Sequence, residues 1–126
     1  FTRVSSNFTS GKSGELTVGV GIIKRQGEAK LAKNPQEGWM SYWEPELAPN
    51  GNTGCAVVIP GGKVSGFGED DSNNFILAKA TPGKPFVYYF GAGWSKGGDF
   101  PDAAAWEANV ELLAKRLKTP IVVTVK

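Results

Sequence analysis

The sequence predicts a mainly β protein, an antiparallel β-sandwich that carries one C-terminal α-helix. Three observations lead there. Residues 15–24, ELTVGVGIIK, place apolar side chains at period two, as a half-buried strand does. Further runs of β-branched and aromatic residues recur a dozen or more positions apart, separated by Pro and Gly turns, which is the spacing of a sandwich. Only one segment, from about Asp102 to Leu117, repeats its apolar residues at helical spacing.

Taken in order, residues 1–13 are polar and rich in Ser, Thr and Gly, and read as a poorly anchored opening segment. Asn7-Phe8-Thr9 fits a glycosylation sequon, a short match that acquires meaning only on a secretory route. In the first strand Leu16, Val18, Val20 and Ile22 share one face, and Thr17, Gly19 and Gly21 the other. Residues 26–38 are polar, contain the Asn34-Pro35 turn, and are expected to form an exposed loop with at most a helical turn. The following strand puts Trp39 and Trp43 on one face and Tyr42 and Glu44 on the other, until Pro45 ends regular pairing. Pro49-Asn50-Gly51 makes a tight turn.

Residues 54–60, GCAVVIP, form a continuous apolar run that suits a strand buried on both faces. Val64, Gly66 and Gly68 lead into an acidic, amide-rich loop at residues 69–74, and residues 75–80 read as another strand. The segment PFVYYFGAGWSKGGDF at residues 85–100 begins as a strand and is expected to open into a glycine-rich loop from Gly91. Pro101 and Asp102 suit a helix start, Lys115, Arg116 and Lys118 its end, and Trp106, Val110, Leu113 and Leu117 form its apolar stripe. After Thr119-Pro120, IVVTV reads as a terminal strand.

Composition narrows the function. With 126 residues the chain is one domain or a piece of a larger one, and no run of apolar residues is long enough for a membrane helix. A net charge of +2 with scattered lysines gives no phosphate-tracking stripe, so neither nucleic acid nor a membrane is an expected partner. The lone Cys55 lies in an apolar run and is expected to behave as a small buried hydrophobe. The chain has no histidine, so acid/base work would fall to Asp, Glu, Tyr or Lys. No phosphate loop, GxGxxG, paired cysteines or GxSxG is present, and no cofactor is expected.

What remains is carboxylates beside aromatics. Trp43, Glu44 and Glu46 stand in one stretch, Trp94, Lys96 and Asp99 in the other, with Tyr42 and Tyr88 nearby. Sugars present apolar C–H faces that stack on indole or phenol rings, and hydroxyls that need carboxylate, amide or lysine partners. Trp39, Trp43 and Trp94 are the candidate stacking residues, and Tyr42, Tyr88 and Lys96 the candidates that orient hydroxyls or a substrate carboxylate. Glu44 and Asp99 are the candidate acid/base pair, because glycosidic hydrolysis uses two carboxyl groups at a set separation. The bland reading competes: the indoles fill a core, Trp94 plugs the end of a sandwich, and the charges are solvated. Asp70 and Asp71 supply oxygen ligands of the kind calcium prefers, without EF-hand spacing; a solvated hairpin tip is the simpler reading, and no metal site is assigned.

SYWEPELAPNGNTGCAVVIP, EDDSNNFILAKATPGKPFVYYFGAGWSKGGDF, the helix with Trp106 and the final PIVVTV together resemble the C-terminal portion of the bacterial DUF4861 family, from about Gly14 onward. The resemblance implies a relative of the galactose mutarotase-like β-supersandwich, of which this chain would be a part. It also implies a periplasmic or extracellular role in bacterial degradation of pectin-type, uronate-containing polysaccharide. Mutarotase chemistry relies on histidines, so stand-alone mutarotase activity is not expected here. The expected function is therefore that of a carbohydrate-active protein contributing to a saccharide site, whether in glycoside hydrolysis or lyase-type cleavage. Two alternatives stand beside it: a non-catalytic carbohydrate-binding module, and a structural half-domain that pairs with a missing partner segment or with itself.

Overall fold

The structure, a computed structural model, describes residues 1–9 and 14–124. Its elements are β1 (Thr2–Ser6), β2 (Leu16–Ile23), β3 (Lys30–Asn34), β4 (Trp39–Trp43), β5 (Thr53–Val58), β6 (Val64–Glu69), β7 (Asn73–Ala80), β8 (Phe86–Trp94) and α1 (Ala103–Lys118). Every strand pairing is antiparallel. A five-stranded sheet runs in the order β1-β8-β5-β4-β3, and a three-stranded sheet in the order β2-β7-β6.

The large sheet is the middle of three layers because both of its faces are apolar. Side chains alternate across a strand, so Met40 and Tyr42 of β4 go one way and Trp39 and Trp43 the other. Met40, Tyr42, Val57 and Phe86 pack against Ile22, Ile76, Ala78 and Ala80 of the small sheet. On the opposite face Trp39, Trp43, Ala56 and Val58 pack against Ala103, Trp106, Val110 and Ala114 of α1.

The helix is held where its sequence signals place it. The Asp102 carboxylate caps its start by accepting from the Ala105 N–H at 2.9 Å, and Lys115, Arg116 and Lys118 fill the last turn. Trp106 is its anchor. The ring lies over Gly54 and Gly93, where an added Cβ would sit 2.6 Å and 2.8 Å from indole carbons. Phe1 stacks on the same indole with ring centroids 5.6 Å apart, and Phe100 meets it edge-on at 5.1 Å.

Four expectations are corrected. The opening segment is not loosely anchored over its described residues, since Thr2–Ser6 is paired along β8. The presumed loop at residues 26–38 contains edge strand β3, whose exposed lysines mask it in the sequence while Ala32 packs toward the helix layer. Strand β8 does not open into a loop at Gly91 but continues to Trp94, because Gly91 and Gly93 make room for Phe1, Phe100 and Trp106 rather than for a turn. Ile121, Val122 and Val123 form no strand and are 92%, 84% and 81% exposed; Val125 lies outside the described residues.

Candidate functional site

The candidate residues separate according to the face of the large sheet they occupy. Gly54 pairs with Gly93 and with Trp43, and all three lie toward Trp106. The next row therefore points to the other side. That row holds Trp94 opposite Thr53, with the Glu44 N–H donating to the Thr53 carbonyl at 2.8 Å. Trp94 and Glu44 thus share one face of the sheet, two strand spacings or about 10 Å apart along the backbone.

Between them rises the loop of residues 47–52. Its Asn50 carbonyl accepts from the Trp94 indole N–H at 2.7 Å, and its Pro49 carbonyl accepts from the Lys96 ammonium. Asn52 ties the loop to both sides. Its backbone N–H donates to the Ser95 hydroxyl at 2.9 Å and its side-chain amide donates to the Glu44 carbonyl at 3.1 Å. Gly51, at φ 81°, has no room for a side chain, since a Cβ there would fall 2.4 Å from the Ser95 hydroxyl oxygen. The indole edge of Trp94 is thereby fixed while half of the residue stays in solvent, at 51% exposure.

The Glu44 carboxylate receives the Arg25 guanidinium at 3.3 Å and lines a cavity of about 400 Å³ with Arg25, Gln26, Pro45, Glu46 and Leu47. The Arg25 backbone N–H donates to the Tyr42 hydroxyl at 3.0 Å, so Tyr42 is committed to holding the end of β2. Tyr88 is half-buried beside Phe86 in the inner core. Asp99 is exposed in the turn beyond Trp94, two strands across the sheet from Glu44, and among the described residues it forms no ion pair. Among the described residues no hydrogen bond or ion pair joins Glu44 to Asp99, and Asp99 does not line the Glu44 cavity.

Trp39 and Trp43 sit beneath α1, each 7% exposed, on the face opposite Trp94. Trp43 borders a cleft lined by Glu28, Lys30 and Asn52, while the Trp39 indole N–H is buried with no partner among the described residues. Both rings are mostly enclosed by the helix layer, and only Trp43 reaches a cleft. Four residues that are not among the sequence candidates enter the site: Arg25, Asn50, Asn52 and Ser95. The turn residues in APNGN and the serine after Trp94 were the available signal; their convergence depends on β5 and β8 being neighbours, which spacing alone does not reveal.

The acidic hairpin tip is self-satisfied. The Asp70 carboxylate accepts from the backbone N–H groups of Ser72 and Asn73 at 2.8 Å and 2.6 Å, which holds its pKa below the ordinary value, with the Asn73 amide and Lys24 adding to the effect. Lys24 donates to the Glu69 carboxylate at 2.7 Å and holds that group down as well, first by the hydrogen bond and then by its charge. Among the described residues no group of three or more His, Cys, Asp or Glu side chains could hold a metal ion. Cys55 stands between Tyr42 and Ala92 on the inner face, and burial pushes its thiol pKa up, the Glu44 charge further and Arg25 the other way.

Residues 1–123 match the family described as "Domain of unknown function (DUF4861)". The chain belongs to that family. The match starts at residue 1, so the DUF4861 unit includes β1 as well as the later segments that resemble it. An uncharacterized protein of Formosa agariphila, P7, is 28% identical over 117 residues, which are 89% of this chain and 29% of P7. The chain therefore spans under a third of the length of that curated relative. No solved structure matches this DUF4861 chain.

Proposed function

We propose that this DUF4861 domain supplies a saccharide-binding surface to a carbohydrate-active bacterial protein that handles acidic, uronate-containing polysaccharide outside the cytoplasm. The observation that carries the reading is Trp94. Its N–H is already spent on the Asn50 carbonyl, so what it offers to solvent is the apolar indole face, and Lys96 and the Asn52-bearing loop stand beside it. A pyranose can stack its C–H face on such a ring while its hydroxyls and carboxylate meet amide and ammonium groups. Glu44 and Arg25 lie farther along the same face, two strand spacings or about 10 Å from Trp94.

Binding is favoured over a self-contained catalytic centre because the Glu44 carboxylate is ion-paired with Arg25 and the other carboxylate of its cavity, Glu46, is only two residues away on the same loop. Any cleavage chemistry would draw its remaining groups from elsewhere in a longer protein of the galactose mutarotase-like kind. Calorimetric titration of the 126-residue chain with oligogalacturonates and neutral oligosaccharides tests the reading. The acidic sugars are expected to bind without product formation, and Trp94→Ala to raise Kd about tenfold or more, equivalent to roughly 1.4 kcal/mol. Absence of binding across the panel, or binding unchanged in Trp94→Ala, would remove the proposal.

A further inference from the structure

Among the described residues, the four edges of the two sheets are not alike. Native edges are blunted by charge, by irregularity or by shortness, because a bare row of N–H and C=O groups recruits another strand. Edge strand β3 carries Lys30 and Lys33, β6 breaks register between Val64 and Gly66, and β1 is five residues long and carries Arg3. The remaining edge, β2, is different. It keeps unbroken register with β7 over eight residues, from Leu16 opposite Ala80 to Ile23 opposite Asn73, with no charged residue, proline or bulge.

Beside that edge the large sheet extends past the small one. Glu15 shares a cavity with Phe86 at the start of β8, whereas Arg25 reaches Tyr42 on β4, so β2 crosses the large sheet obliquely. It leaves the far half of β8 uncovered. There an apolar groove of about 410 Å³ is lined by Val20, Ile22, Cys55, Tyr88, Phe90 and Ala92, with Ile23 and Phe90 exposed on its rim at 48% and 47%. A strand hydrogen-bonded to β2 would lie about 4.8 Å farther out, over this groove.

We infer that β2 is the acceptor edge for a β-strand supplied by the same polypeptide from outside residues 1–126, which lays alternate apolar side chains over Phe90 and Ala92. The length of P7 shows that a DUF4861 unit can stand within a chain more than three times its size, which is the source of such a strand. A second copy paired β2 to β2 does not fit. Paired through β2 with its apolar face toward the groove, it would carry its own five-stranded sheet into the space of β8 and β1. Turned over, it would present Thr17, Gly19 and Gly21 and leave the groove unfilled. Main-chain pairing with alternate side chains in a groove is a recurrent mode of strand addition.

The inference does not depend on the saccharide reading, and its test is separate. Hydrogen exchange by mass spectrometry is measured on the 126-residue chain and on the polypeptide expressed from its complete reading frame. Amides of residues 16–23 are expected to exchange about tenfold or more slowly in the complete polypeptide, the protection of a ladder closed on both sides. Phe90→Lys, or Ala92→Lys as a second variant, is expected to abolish that extra protection while leaving oligosaccharide binding by the 126-residue chain unchanged. Equal exchange in the two polypeptides would overturn the inference. So would a reading frame that adds no strand-forming segment, or protection of β2 in the 126-residue chain that grows with concentration.

Discussion

At the scale of single residues, the tryptophans show what a sequence can and cannot say. Parity along the strand places Trp39 and Trp43 together and opposite Tyr42 and Glu44, and the structure keeps that division. Which of the two faces the helix covers is decided by Gly54 and Gly93, two positions that have no side chain to announce it. Trp94, at the end of its strand and on the face away from the helix, remains half in solvent. The acidic tip supports a charge prediction. Glu69 and Asp70 both have folded pKa values below the ordinary ones, so what they add to stability is present above the ordinary carboxylate pKa and is lost as pH falls through the depressed values. In an NMR pH titration both midpoints are expected below those of model peptides, and Lys24→Met is expected to return Glu69 toward the ordinary value while Asp70, held mainly by backbone N–H groups, moves less. Equal movement of the two would assign the effect to charge alone.

At the scale of elements, the strands with strict alternation were legible and those spoiled by glycine or lysine were not. The apolar run at residues 54–60 and the stripe of α1 declare themselves, because burial on both faces and a 3.6-residue period leave few other readings. The glycines of β8 mislead, since the same residue type serves a turn and a close approach; here Gly91 and Gly93 admit Phe1 and Trp106. That distinction can be tested by volume. Gly54→Ala places its Cβ 2.6 Å from the Trp106 ring and is expected to lower stability by about 1–3 kcal/mol, as overpacking does. Gly68→Ala, whose Cβ would meet only Leu77 at 3.7 Å, is expected to stay within about 0.5 kcal/mol in the same urea unfolding series. Similar losses in both would mean that the Gly54 position owes nothing to the helix.

At the scale of the whole molecule, the three layers explain why the candidate site is divided. One face of the large sheet is closed by α1 and takes Trp39 and Trp43 into the interior; the other is closed by the small sheet only in part, leaving Trp94, Phe90 and the bare β2 edge in the open. Strand order could not be read from spacing, because β1 and β8 lie at opposite ends of the chain and are neighbours in the sheet. The saccharide surface and the strand-accepting edge are therefore adjacent but carried by different residues. The most direct measurement of the central claim is the set of four indole N–H resonances during titration with an oligogalacturonate. The Trp94 signal is expected to move and saturate, while those of Trp39, Trp43 and Trp106 stay in place. A silent Trp94, or movement confined to the three buried indoles, would contradict the account.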